Sequence, residues 1–345
     1  MRFLVYSDLQ ATDGSDPCFH DPTKTLQHYR VEKFFVDAAR IYKEHGCCGV
    51  IDLGDTTDDR TAISWPTLEV LGAGLARLPL KKDWDFKVTG NHEQFLRNCE
   101  INNHRLFEHC FNVITGCEIF DFGSHMAFFA SFTEDYAGLT RWLTETAREY
   151  RNRPKLLFGH FQVVGARMNS GTALQGVPVN ILKQFDLVLL GHIHIPQTIG
   201  GCIHYVGSPF QQDWGETGET KRVGILDTAG CKMTWVPMEG YPEYHEVTLE
   251  EFKQASRQEG EDRFKVILTS QAETEAFLRH PHFHRAEPVY TYAEALPEEA
   301  AIQEDWSFEG ILRRYVGLVP PKAAGIEKTD EEMLELGRMM AKGEL

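Results

Sequence analysis

The apolar residues of this chain fall into short unbroken blocks, and five of those blocks end on polar side chains. LVYSDLQ (4–10) delivers Asp8 and Gln10, VIDLGD (50–55) delivers Asp55, and FKVTGNHE (86–93) delivers Asn91 and His92. KLLFGH (155–160) delivers His160, and LVLLGHIHIP (187–196) delivers His192 and His194. A run with no polar face reads as a strand buried on both sides, as in the middle of a helix-covered sheet. Between the first three blocks the period changes. Val31, Phe34, Phe35, Ala38, Ile41 and Tyr42 recur at helical spacing over residues 24–45 with Gly46 as a stop, and a second helix is expected over 65–78. Strand, helix, strand, helix, strand predicts a mainly parallel sheet.

Further along, 94–111 reads as a polar helix carrying Arg97, His104 and Arg105 on a solvated face. HMAFFASF (125–132) is another strand, and Leu139, Trp142, Leu143 and Ala147 mark an amphipathic helix behind it. Two stretches, 11–25 and 161–180, are rich in turn-forming residues and read as irregular loops beside the strand ends. CIHYVGSP, KRVGILD and CKMTWVP look like successive strands that close a second sheet, so the core ends near Gly240. The pattern then changes to a compact β-α-β-α-β unit. His280, His282 and His284 alternate within it, but Pro281 and the absence of acidic or thiol neighbours in sequence make that segment a surface loop. In the tail, Thr329 and Glu332 form a capping-box pattern, and Met333, Leu336 and Met340 make an apolar stripe suited either to a partner or to the chain's own body. The expected domains are 1–240, 241–298 and 299–345.

A length of 345 residues suits one large core plus something smaller. The formal charge of −16 argues against a nucleic-acid grip built on bulk basicity, although bound cations can reverse the potential locally. Eight scattered cysteines without a CxxC, and no secretion signal, read as reduced thiols in a cytoplasmic protein. No run approaches the length of a membrane span.

Ligands collect at the carboxyl ends of strands in open α/β sheets. Asp8, Gln10, Asp55, Asn91, His160, His192 and His194 are therefore expected around one centre. Two divalent metals can clamp an in-line phosphoryl displacement. Such a pair needs a bridging carboxylate, for which Asp55 after Gly54 is the natural choice. Asp8, Gln10 and His194 then complete one metal's protein ligands, and Asn91, His160 and His192 the other's. Nitrogen and oxygen donors without thiolate suit Mn, Fe or Zn better than Ca. His92, beside a ligand but pointing elsewhere, is left to act as general acid or to bond a phosphoryl oxygen.

D-x-Q, GDTTD, GNHE, GH and GHIH resemble the five motifs of the calcineurin-like metallophosphoesterase superfamily. HYRVEKFF, YVGSPFQQDWGE (205–216), the small α/β unit and the helical tail narrow the resemblance to SbcD-type nuclease subunits. That resemblance implies a two-sheet α/β/β/α sandwich with a small α/β capping domain and a helical C-terminal tail. It also implies two Mn ions on the seven ligands, with Mg, Fe or Zn as substitutes, and His92 as the catalytic acid acting with Asp55. The implied activity is 3′–5′ exonuclease on duplex DNA ends and endonuclease on single strands or hairpins. The implied partners are DNA, an SbcC-type coiled-coil ATPase held by the C-terminal helices, and a second copy through the helix after the first loop. Gln10 departs from the pattern, since the family usually has His there. A neutral amide oxygen is a weaker donor, so the first metal is expected to bind more loosely and the site to lean toward Mn or Mg over Zn. Two other readings compete: a stand-alone metallophosphatase or cyclic-nucleotide phosphodiesterase, and a non-catalytic scaffold that binds DNA ends.

Overall fold

The computed structural model describes residues 1–291 apart from 15, 22, 97–100, 168–174 and 257–259. The tail pattern at Thr329, Glu332, Met333, Leu336 and Met340 lies outside the described residues, as does Arg97. Nearly all of the described residues belong to one compact unit, 1–268 with 273–289.

In chain order the first elements are β1 (Arg2–Tyr6), α1 (Leu26–Glu44), β2 (Gly49–Asp52), α2 (Trp65–Leu75), β3 (Phe86–Val88), β4 (Asn112–Ile114), β5 (Cys117–Asp121) and β6 (Met126–Ala130). They continue with α3 (Tyr136–Glu149), β7 (Lys155–His160), α4 (Val179–Leu182), β8 (Leu187–Gly191), β9 (Gln197–Ile199), β10 (Ile203–Tyr205), β11 (Arg222–Asp227) and β12 (Lys232–Pro237). The small α/β unit follows as β13 (Tyr244–Thr248), α5 (Leu249–Ala255), β14 (Arg263–Leu268), α6 (Gln271–Leu278) and β15 (Ala286–Tyr290).

Two six-stranded sheets, ordered β12-β11-β1-β2-β3-β4 and β5-β6-β7-β8-β10-β9, are accompanied by a three-stranded sheet β13-β14-β15. Side chains alternate across a strand, and here both faces find cores. Phe3 and Val5 of β1 face Phe158 of β7 and Leu189 of β8 across the seam between the large sheets. Leu4 and Tyr6 face Phe34, Phe35 and Ala38 of α1 and Leu71 of α2. On the far side, Leu157, Val188 and Leu190 pack on Leu139 and Leu143 of α3. Three apolar layers between four layers of elements make an α/β/β/α sandwich. Phe129 ties the seam, stacked on Phe86 at 4.7 Å and on Phe158 at 4.9 Å between centroids, each pair adding ~1 kcal/mol to simple burial. The helices start where the sequence caps them: the Thr25 hydroxyl accepts the His28 N–H, Ser64 that of Thr67, and the Asp135 carboxylate that of Gly138.

Two expectations need correction. β11 and β12 do not close the second sheet: β11 runs antiparallel to β1, with Phe3 opposite Leu226, and β12 lies outside it. The cause is that β11 is apolar on both faces, with Val223 and Ile225 turned to the helix layer and Leu226 to the seam, so it belongs beside the central β1. Nor is 94–111 a helix. Its described residues are turns with one 3₁₀ turn, His104–Leu106. The Asn102 side chain accepts the His104 N–H at 3.0 Å, a local bond that competes with helix formation, while Phe107 and Phe111 are drawn into the core.

The seven cysteines among the described residues are all free thiols. No helix among those residues is long and apolar enough to cross a membrane.

Candidate active site

Five loops leave the carboxyl ends of β1, β2, β3, β7 and β8 at one end of the seam. Three come from one large sheet and two from the other. The backbone there is held in a conformation that L-residues avoid: φ is +54° at Asp8, +47° at Gln10, +53° at Asp55 and +87° at His192. Each such residue costs about 1–3 kcal/mol and persists only where its surroundings fix it. The fixing bonds are present. Asp8 N–H donates to Gly54 O and Gln10 N–H to Asp55 O, both at 2.9 Å. His192 N–H donates to the two Asp8 carboxylate oxygens at 3.1 and 3.2 Å, and His92 N–H to Asp55 Oδ1 at 2.8 Å. Gly90 is required, because a Cβ there would lie 2.1 Å from Asp55 Oδ1.

The side chains converge in two groups. Donor atoms of Asp55, His160 and His192 all lie within 4.8 Å of one another. Asn91 Oδ1 joins them, 2.7 Å from His192 Nδ1 and 3.2 Å from His160 Nε2. In the second group the Gln10 amide is 2.9 Å from His194 Nε2, which is 4.0 Å from Asp8 Oδ1. His92 stands at the rim: its Nδ1 faces Asp58, 2.7 Å from the carbonyl and 3.0 Å from the carboxylate.

Electrostatics follow from burial without full counter-charge. Asp8 and Asp55 are 0% and 1% exposed, and among the described residues neither pairs with Lys or Arg. Burial pushes the Asp8 carboxyl up. Burial also disfavours charge on Asp55, but His160 and His92 outweigh it and hold that carboxyl well below its usual range. His160 is its mirror image: burial would depress it, yet Asp55 at 3.1 Å and Asp8 raise it to about 9. His192 is pushed down to about 3 by burial and by His160, and so stays neutral with a lone pair on one ring nitrogen. For His92, burial is overcome by Asp58 and Asp55, and its pKa is raised.

Several residues that the sequence pattern does not single out orient these groups. Glu216, fully buried, accepts from His194 Nδ1 at 2.7 Å and from Lys221 Nζ at 2.5 Å. Leu53 O lies 2.8 Å from His160 Nδ1, and Gln162 Nε2 is 3.0 Å from His192 Nε2. Gln212 Nε2 donates to Asp8 O at 3.1 Å. The only available sequence signal for Glu216 and Gln212 was their place in the QQDWGE stretch; Asp58 was signalled only as the last residue of GDTTD.

Residues 1–196 match the family model of calcineurin-like phosphoesterases. Over 90 residues, 24% of each chain, the sequence is 34% identical to the D-subunit of nuclease SbcCD from Staphylococcus saprophyticus subsp. saprophyticus. Over 88 residues, 23% of this chain and 22% of the relative, it is 32% identical to the protein of the same name from Escherichia coli strain K12. These matches span about a quarter of the curated relatives' length. A dimetal phosphatase from Danio rerio superposes on 69% of this chain and 99% of its own, at 13% identity and a TM-score of 0.41.

Proposed function

Since the chain belongs to the calcineurin-like phosphoesterase family, a class of metal-dependent phosphoesterases with a dinuclear site, we propose that it is a DNA nuclease subunit hydrolysing phosphodiester bonds at DNA ends. The observation that carries the chemistry is the donor set itself. Asp8 and Asp55 are buried carboxylates facing imidazoles, with no Lys or Arg among the described residues to neutralise them. Burying such charges is costly unless cations are supplied, and neighbouring donors about 3 Å apart are spaced as a shared cation requires. Asp55, Asn91, His160 and His192 would hold one ion. Asp8, Gln10, His194 and a shared Asp55 would hold the other, with the Gln10 amide offering its oxygen after a half-turn. When bound, two such ions activate water and stabilise charge on the phosphoryl group.

The chain's own residues supply the rest. Glu216 and the Leu53 carbonyl fix Nδ1 of His194 and His160, which leaves Nε2 of each turned toward the site. Asp58 raises the proton affinity of His92 at the rim, which suits this imidazole to carry a proton to the leaving oxygen. The nuclease reading, with DNA and an SbcC-type ATPase as partners, draws on the names of the relatives and on the extra α/β unit and tail that a small-molecule hydrolase does not need. Two copies of the chain and docking of the ATPase on the C-terminal helices belong to the same proposal. Mn is the preferred ion. The charge of −16 favours the competing reading of a stand-alone phosphodiesterase.

The test is incubation of the purified protein with end-labelled linear duplex and hairpin DNA in Mn, with and without a co-purifying ATPase, beside His92→Asn. Processive loss of duplex label or hairpin opening in the wild type alone supports the nuclease. Hydrolysis of small phosphodiesters with DNA left intact would replace it by the phosphodiesterase. Identical behaviour of both proteins would leave a scaffold.

A further inference from the structure

Behind the site lies a buried ionic knot that the proposed hydrolysis does not use. Lys87, Asp52, Thr56 and Glu93 are each 2% exposed or less. Lys87 Nζ donates to Glu93 Oε1 at 2.6 Å, to Asp52 Oδ2 at 3.2 Å and to Thr56 Oγ1, and the Phe107 ring covers it at 4.6 Å. The Thr56 hydroxyl donates to Asp52 Oδ2 at 2.5 Å.

The same carboxylates grip the backbone on both sides of Asp55. Asp52 Oδ1 accepts the Gly54 N–H at 2.9 Å, and Glu93 Oε1 the Thr56 N–H at 3.0 Å. Glu93 Oε2 accepts the Gly90 N–H at 2.9 Å, immediately before Asn91 and His92. One side chain therefore clamps the loop after β2 to the loop after β3. We infer that Glu93, held by Lys87, is a positioning residue that sets Asp55 against Asn91 and His92.

Two features argue for positioning over simple cohesion. A buried ion pair is a poor source of stability compared with apolar side chains of the same volume, so two carboxylates and one ammonium are an odd choice for a mere core. The chemistry also demands a carboxylate at 93. Glu93 receives two backbone N–H groups on two different oxygens, whereas a glutamine has one acceptor oxygen and would turn a donor NH2 toward one of them. Asp55, with φ at +53°, needs its flanking amides held from outside.

The inference rests on the two-metal reading for its Mn-affinity and catalytic readouts only; the exchange readout is independent of it. In Glu93→Gln, amide hydrogen exchange at Thr56 and Gly90 in the metal-free protein should quicken about tenfold relative to β1 amides. Mn affinity by titration calorimetry should fall about 10–100-fold, the range for removing a partner that orients a ligand. The kcat for bis(p-nitrophenyl) phosphate should fall with it while KM stays nearly constant. Glu93→Asp, which keeps the charge beside Lys87 but is too short to reach both amides, should show the same losses with a melting temperature lowered less than in Glu93→Gln, and it serves if Glu93→Gln does not fold. Unchanged exchange at both amides, or wild-type Mn affinity and kcat in a folded variant, overturns the inference. If the wild type binds no Mn and hydrolyses nothing, the functional reading falls while the exchange comparison still decides the clamp.

Discussion

Replacing Glu216 by glutamine should weaken both the fold and the metal site, by amounts that can be worked out in advance. The side chain is fully buried and receives His194 Nδ1 at 2.7 Å, Lys221 Nζ at 2.5 Å, Gln212 N–H at 3.0 Å and the Ser208 hydroxyl at 3.2 Å. Burial alone would raise its pKa, but His194 and Lys221 pull it from 4.5 down to about 2. At about 1.4 kcal/mol per tenfold change in proton affinity, that depression represents roughly 3 kcal/mol of stability. Because the folded pKa is the lower one, this contribution is complete above pH 4.5 and fades as pH falls toward 2. Glu216→Gln would also strand Lys221, 5% exposed, without a carboxylate, and breaking a buried pair costs about 3–5 kcal/mol. Urea unfolding of the metal-free protein at pH 7 should therefore show a loss of about 3 kcal/mol, with the gap to wild type narrowing in acid. Calorimetric titration should show one Mn weakened about 10–100-fold, since His194 loses the anion that orients it. A variant as stable as wild type at pH 7, binding both ions equally well, would show that Glu216 neither orients His194 nor balances Lys221.

His92→Asn should lower phosphodiester hydrolysis about 10²–10⁴-fold while Mn binding measured by calorimetry stays at the wild-type level. Gln10→His should tighten Mn binding and let Zn support activity, read from the Zn-to-Mn rate ratio; an unchanged metal requirement counts against the proposed role of the amide. Gly90→Ala drives a Cβ into the Asp55 carboxylate. A displacement on the order of 1 Å there should cost about 10²-fold in kcat, with a crystal structure or Mn titration showing whether Asp55 moved.

Why some of this was legible in the sequence and some was not has a physical basis. Strands buried on both faces announce themselves as unbroken apolar runs, and the polar residues that end such runs must sit at one end of a sheet. That logic locates Asp8, Asp55, Asn91, His160 and His192 without any knowledge of the pairing. It says nothing about Glu216 or Asp58, because a carboxylate that bonds a histidine 22 or 34 residues away leaves no periodic trace. It also misplaces β11, since a strand apolar on both faces fits the middle of either sheet. The segment 94–111 fails for a third reason: helical spacing of polar residues carries little information when one asparagine side chain can satisfy the backbone locally.

The donors come from both halves of the sandwich. Asp8, Gln10, Asp55 and Asn91 follow strands of one large sheet; His160 ends β7, and His192 and His194 follow β8, in the other. Any cation held among them would rivet the halves together, so the two sheets could not peel apart without first surrendering it. Chelation should then act like pulling the rivet, shortening the lifetime of the native state in denaturant far more than it changes the pattern of secondary structure.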